Sequence, residues 1–192
     1  MPVDWDSGVP YAELQRRIKE ALAANRKNSI RYTKLLIYAI QLRNQARVSE
    51  AHDALGQFEQ DPALLTVQVK VRKKGLYKTR INPISGRRVF VLDSKGRKIP
   101  KPPEFREFIW PEYIKRSLPP LTRISIENAK VSCRSLIGVN THTLRYARIT
   151  KLIREDKIDP LIVSKITHHS DPKFVLKYFQ QKEADRINKE VK

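Results

Sequence analysis

A chain of 192 residues suits one domain with a genuine core, and its formal charge of +19 (isoelectric point near 10.2) implies a polyanionic partner, nucleic acid before an anionic membrane surface. No apolar run approaches the roughly 18–20 residues needed to span a bilayer, and the start, Met1-Pro2-Val3-Asp4, carries an acid where a secretory signal carries basic residues. The single Cys133 excludes an internal disulfide or a cysteine-based zinc site and fits a reducing, cytoplasmic setting, while four histidines without clustered carboxylates argue against a dedicated metal centre.

Residues 2–10 read as a loose lead-in. Tyr11, Leu14, Ile18 and Leu22 then recur at helical spacing among polar residues, predicting an amphipathic helix to about Asn25. Asn28 or Ser29 can cap a second helix, and its segment 35–42 (LLIYAIQL) is apolar on nearly every side, so it should run through the core. At its end stands Gln45-Ala46-Arg47-Val48-Ser49-Glu50, which taken alone is an exposed arginine at a helix junction beside a nearby glutamate.

Residues 66–72 (TVQVKVR) alternate as a strand and run into a turn at Lys73-Lys74-Gly75. Segments 79–84 and 88–92 read as further strands, joined at Ser85-Gly86, and Asp93-Ser94-Lys95-Gly96 marks another turn. The expectation is a small antiparallel sheet of about three strands set into a helical domain, an α+β fold that is mainly α. Between Lys70 and Arg106 there are 13 Lys and Arg against two acids, so +11 of the +19 falls in about a fifth of the chain. That density on hairpins suits tracking a phosphate backbone, with Lys70, Arg72, Lys73, Lys78, Arg80, Arg87 and Arg88 as the candidate contacts to double-stranded DNA.

Lys101-Pro102-Pro103 breaks the strand region. Pro111 is placed to open a helix holding Tyr113, Ile114 and Leu118, with Trp110 before it as a core anchor and Pro119-Pro120 closing it. Residues 126–137 form another helix. Three short helices are then expected in 141–178. Thr141 is placed to cap one over 142–154, and Asp159-Pro160 and Asp171-Pro172 each set a capping acid before a proline at the first helical position. The second of the three is expected to end at His168-His169-Ser170, with Tyr178 two turns into the third. Residues 180–192 read as a polar tail, and no internal repeat or low-complexity segment interrupts the chain.

Each chemistry-bearing residue of that stretch has an ordinary reading: a solvated histidine, a half-buried tyrosine, one more arginine among many. Their joint spacing is more specific. His142 and Arg145 share a helix face, Arg145 is followed after 24 residues by His169, and Tyr178 comes nine later. An anion clamp, proton carriers and a phenol are what metal-free attack on a phosphodiester requires.

His142-Thr143-Leu144-Arg145, His168-His169-Ser170 and Tyr178 resemble the tyrosine recombinases, the phage-type integrases of mobile elements among them. Arg47-Val48-Ser49-Glu50, 98 residues before Arg145, resembles the family's presentation of its first arginine, with Gln45-Ala46 departing from the usual lead-in. The resemblance covers residues 10–179. It implies a single catalytic domain over residues 1–192, lacking the separate N-terminal DNA-clamping domain common in the family. It further implies a site of Arg47, Lys74, His142, Arg145, His169 and Tyr178, with Lys73 a live alternative to Lys74 at the Lys-Gly turn. On this resemblance Tyr178 cuts DNA through a 3′-phosphotyrosyl intermediate and no cofactor is needed. The chain would be a monomer without DNA and form higher-order assemblies on recombination sites. A type IB topoisomerase shares that chemistry, and a DNA-binding relic without cleavage activity is the alternative of another class.

Overall fold

The computed structural model describes residues 8–71, 77–167 and 175, and among them are six helices and four short strands. The fold is α+β and mainly helical, as the apolar periodicities predict.

α2 (Ser29–Asn44) is the axis of the domain. Leu35, Leu36, Ile37, Tyr38, Ala39, Ile40 and Leu42 are all fully buried, so every side of the helix is covered. α1 (Tyr11–Ala24), α3 (Val48–Gln60), α4 (Ile126–Ile137), α5 (Thr141–Arg154) and one strand supply the cover. Each buried Leu or Ile contributes about 1.5–3 kcal/mol of transfer free energy. α1 buries Tyr11, Leu14, Ile18 and Leu22, the stripe its sequence spacing traces. Asn28 caps α2 by accepting the Arg31 amide at 3.0 Å, which settles the choice between Asn28 and Ser29.

Buried polar groups on α2 tie its neighbours in. Tyr38 donates to the Ala129 carbonyl at 2.6 Å. Lys34 donates to Ser132 Oγ at 2.8 Å. Gln41 Nε2 donates to the carbonyls of Ala46 (3.1 Å) and Thr141 (2.8 Å), bridging the α2–α3 junction to the start of α5. α2 ends on Gln45, held at φ 44°, which lets the chain turn sharply into α3.

The strands differ in detail from the expected sheet. β1 (Thr66–Lys70) pairs antiparallel with β4 (Phe105–Ile109), while β2 (Thr79–Ile81) and β3 (Arg88–Phe90) form a separate two-stranded ladder. β4 is hidden in the sequence because its inward positions are Arg106 and Phe108 while Phe105, Glu107 and Ile109 face out, so no apolar alternation is visible. Asn44 clips its end to α2, accepting the Ile109 amide and donating to the Ile109 carbonyl, each at 2.9 Å.

No helix forms after Pro111, contrary to expectation. The chain makes one turn, with the Ile114 amide on the Pro111 carbonyl at 3.0 Å. The Trp110 indole N–H then takes the Ile114 carbonyl at 3.0 Å, the acceptor a helix would have given to residue 118. Trp110 itself is buried edge-on against Phe58 (centroids 5.1 Å apart), the anchor the sequence suggests.

α4 has the bounds its sequence predicts and ends at Gly138, whose φ of 80° suits a residue without Cβ. α5 begins one residue earlier than expected. Asn140 rather than Thr141 is its cap, because the Asn140 side chain accepts the Thr143 amide at 2.9 Å. α6 (Pro160–Ile166) starts as predicted, with Asp159 accepting the Leu161 amide at 2.6 Å. A small second cluster joins Ile149, Leu152 and Ile153 of α5 to Val163 of α6 and to Val175. Among the described residues no helix is long and apolar enough to cross a membrane.

Candidate active site

A cleft of about 720 Å³ opens where the start of α3 meets the start of α5. Arg47, His142 and Arg145 all line it, together with Lys130 and Tyr146. Residues 98 positions apart in the chain therefore share one cavity. The Gln41 bridge is what brings their two elements together.

Arg47 caps α3 through Glu50. The Arg47 amide donates to Glu50 Oε2 at 3.1 Å, and Arg47 Nη1 donates to Oε1 at 2.8 Å. The arginine–glutamate pair read from the sequence is thus present, yet 38% of the Arg47 side chain stays exposed while that of Glu50 is 1% exposed. The guanidinium is braced from behind and open in front.

Arg145 is 6% exposed, and its Nη2 donates to the Thr167 carbonyl at 2.8 Å. Its Nη1 is buried and has no hydrogen-bond partner among the described residues. Burial, with the Arg47 charge next, pushes its pKa down to about 10, which still leaves a cation at neutral pH. An unpaired guanidinium N–H in a buried position costs free energy unless an anion arrives.

Behind these two lies Arg106, a residue that sequence reasoning did not single out. It is 8% exposed, donates to the Asn44 carbonyl, rests over the Phe108 ring and reaches Glu50 Oε2 at 3.8 Å. Burial, despite the favourable Glu50 charge, lowers its pKa from the ordinary arginine value. Its only sequence signal is position: it sits across from Val69 on the inward face of β4.

Burial pushes the Glu50 carboxyl up, but hydrogen bonds from the Arg47 amide and side chain, and the charges of Arg47 and Arg106, outweigh it and hold the pKa below the usual range. Arg145 also feels the fields of Arg47, Glu50 and Arg106. Among the described residues, then, Glu50 pairs with Arg47 and Arg106, and its field also reaches the third guanidinium, Arg145. The local excess of positive charge, partly removed from water, is suited to an anion.

His142 stands at the open side of the cleft. Partial burial, then the charges of Arg145 and Lys130, lower its pKa, so at neutral pH the imidazole is uncharged and able to accept a proton. Among the described residues no group of three His, Cys, Asp or Glu side chains is gathered as metal ligands.

The remaining sequence candidates divide in two. Lys70 ends β1, and Lys78, Arg80, Arg87 and Arg88 lie on or beside β2 and β3, all exposed and none lining the cleft. Arg72, Lys73, Lys74, His169 and Tyr178 lie outside the described residues.

No family model matches the chain, and no solved structure matches it. Curated relatives do. The chain is 28% identical over 190 residues to a protein named as a candidate integrase in Acidianus two-tailed virus, covering 94% of this chain and 66% of that one. It is 26% identical over 206 residues to a protein named as a candidate integrase of Sputnik virophage, covering 95% and 88%. An uncharacterized protein of Methanocaldococcus jannaschii is 24% identical over 228 residues, with coverage of 97% and 88%. The likeness to viral integrase-like proteins runs along nearly the whole chain, which spans just under two thirds of the first of them.

Proposed function

We propose that this chain cuts and rejoins DNA strands as a tyrosine-type recombinase, at integration or resolution sites. The observation that carries the reading is the cleft: Arg47, His142 and Arg145 line one cavity, and the buried Nη1 of Arg145 lacks a partner among the described residues. The relatives named as candidate integrases support it.

On this reading the two arginines hold the non-bridging oxygens of the scissile phosphate, and their planar forks suit bidentate contact. The Tyr178 oxygen attacks phosphorus while its proton passes to neutral His142. The bond to the 5′ oxygen breaks, and that oxygen takes a proton from Lys74 or Lys73. The products are a 3′-phosphotyrosyl enzyme and a free 5′-hydroxyl, and the reverse attack by a 5′-hydroxyl reseals the strand. His169 adds a hydrogen bond to the pentacoordinate phosphorus state. Charge developing there is stabilised by donors fixed in advance, which is where the braced Arg47 and the buried Arg145 act. Glu50 and Arg106 hold that charge array in place without touching the phosphate.

Incubation with nicked duplexes, in which the released fragment diffuses away, traps the covalent adduct. Tyr178→Phe, which keeps the ring, is expected to bind DNA and form none. Arg145→Ala is expected to slow adduct formation by about 10²–10³-fold, the usual cost of removing one donor to such a state. An adduct from Tyr178→Phe moves the nucleophile to another of the seven tyrosines. DNA binding by wild type with no adduct on any nicked substrate overturns the enzyme reading in favour of a DNA-binding protein.

A further inference from the structure

Residues 77–101 form a ribbon that the cleft does not use. β2 and β3 are its centre, and bridges of Tyr77 to Pro100 and of Leu92 to Lys98 extend it. None of these 25 residues is buried. A two-stranded ribbon without a covered apolar face is marginal in water.

One face is nevertheless apolar. Tyr77, Ile81, Phe90 and Leu92 are 39%, 67%, 47% and 53% exposed. Tyr77 and Phe90 meet edge to face at 6.1 Å, and Lys98 Nζ lies 4.1 Å from the Phe90 ring centre. At the tip Ile84 is 96% exposed. It is presented by an ordered turn: Asn82 Oδ1 accepts the amides of Ile84 (2.9 Å) and Ser85 (3.2 Å), and the Gly86 amide reaches the Asn82 carbonyl at 2.9 Å. Pro83 fixes the backbone before it, and Gly86, at φ 64°, closes the turn. Isoleucine gains nothing from water at such a position.

Charge identifies the partner. Residues 77–101 hold eight Lys and Arg and one acid, Asp93, which Arg97 already engages at 2.9 Å. A second copy would bring the same charge and be repelled. Arg80, Arg87 and Arg88 stand beside the apolar tip, the pairing of cations and wedge that grips phosphates while a side chain enters a stack.

We propose that the ribbon is a DNA-gripping arm, with Ile84 wedging between base pairs from the minor groove while Arg80, Arg87 and Arg88 hold the flanking phosphates. The proposal rests on the DNA reading above and adds to it a deformation of the duplex. Local opening of the stack makes neighbouring strands easier to exchange.

The test uses the full chain with duplexes carrying 2-aminopurine at successive steps and a donor–acceptor dye pair at the ends. Wild type is expected to raise 2-aminopurine fluorescence at one step and bend the duplex by roughly 20–90°. Ile84→Ala is expected to lose both signals, keep the wild-type thermal melt, and change affinity less than tenfold with the same salt dependence. Arg87→Gln with Arg88→Gln is expected to weaken binding and flatten its salt dependence. Unchanged bending and fluorescence in Ile84→Ala, or no such signal from bound wild type, overturns the wedge. Loss of binding to phosphatidylserine vesicles by Ile84→Ala without any change on DNA assigns the tip to a lipid surface instead and likewise overturns it. Adduct formation on nicked substrates is read in parallel: its persistence in Ile84→Ala separates failure of the wedge from failure of the cleavage reading.

Discussion

Glu50 does the most at the scale of single residues, because its buried carboxylate is what allows three arginines to approach one another. Removing one member of a buried charge pair leaves the others uncompensated, at a cost of about 3–5 kcal/mol. Glu50→Gln is therefore expected to lower the unfolding free energy by that order, measured by urea denaturation at pH 7. The sign of the pH dependence follows from the depressed carboxyl. The unfolded chain takes up a proton near the ordinary glutamate pKa of about 4.3, whereas the folded chain does so lower. Stability from Glu50 is thus complete above about pH 4.3 and declines as pH falls through the folded value. Glu50→Gln should lose that portion of the acid dependence as well as the stability. Equal stability of the variant and wild type at pH 7 would contradict the brace.

Between elements, the coupling of α2 to the site runs through Gln41. Its side-chain amide satisfies the Ala46 carbonyl beside Arg47 and the Thr141 carbonyl beside His142, so it fixes the separation of the two halves of the cleft. Gln41→Leu keeps the volume and removes both bonds. The expected loss of stability is roughly 1–3 kcal/mol, the cost of leaving buried carbonyls unpaired. Adduct formation at a temperature where the variant is folded should fall further than that loss explains, since an error of about 1 Å in positioning can cost on the order of 10²-fold. A variant destabilised but cleaving at the wild-type rate would show that other contacts set the cleft.

The elements also differ in how plainly the sequence announces them. α1 was legible from four apolar residues at helical spacing, α2 from its unbroken apolar run, and α6 from Asp159-Pro160, because each signal is local. β4 and the turn after Pro111 were not. β4 turns an arginine inward whose partners, Asn44 and Glu50, are about 60 residues away, and Trp110 diverts the carbonyl on which a helix would have depended. The same division holds in the site. Arg47, His142 and Arg145 stand in recognisable local motifs, while Arg106 belongs to the cluster only through tertiary contacts.

At the scale of the molecule the charge is unevenly spent. In the cleft Arg47 is paired with Glu50 and Arg145 is held by the Thr167 carbonyl, and Arg43 is engaged by Glu112 at 2.7 Å, whereas Lys78, Arg80, Arg87 and Arg88 are exposed on the ribbon. The first group suits a single anion, and the second, on the proposed reading, a polymer. Binding to duplex DNA is accordingly expected to be governed by counterion release. With 6–10 phosphate contacts, affinity should fall by about 10³–10⁵ between 50 and 200 mM salt. Each ribbon cation neutralised by Lys or Arg→Gln should reduce the slope of log affinity against log salt by about one, uniformly across DNA sequences. Arg145→Ala, by contrast, removes one buried contact and should leave that slope nearly intact while cleavage collapses. Fluorescence anisotropy across a salt series measures both. A slope near zero for wild type would contradict counterion release altogether, and an Arg145→Ala slope reduced as much as that of the doubly substituted ribbon would mean that the cleft rather than the ribbon carries the polymer's charge.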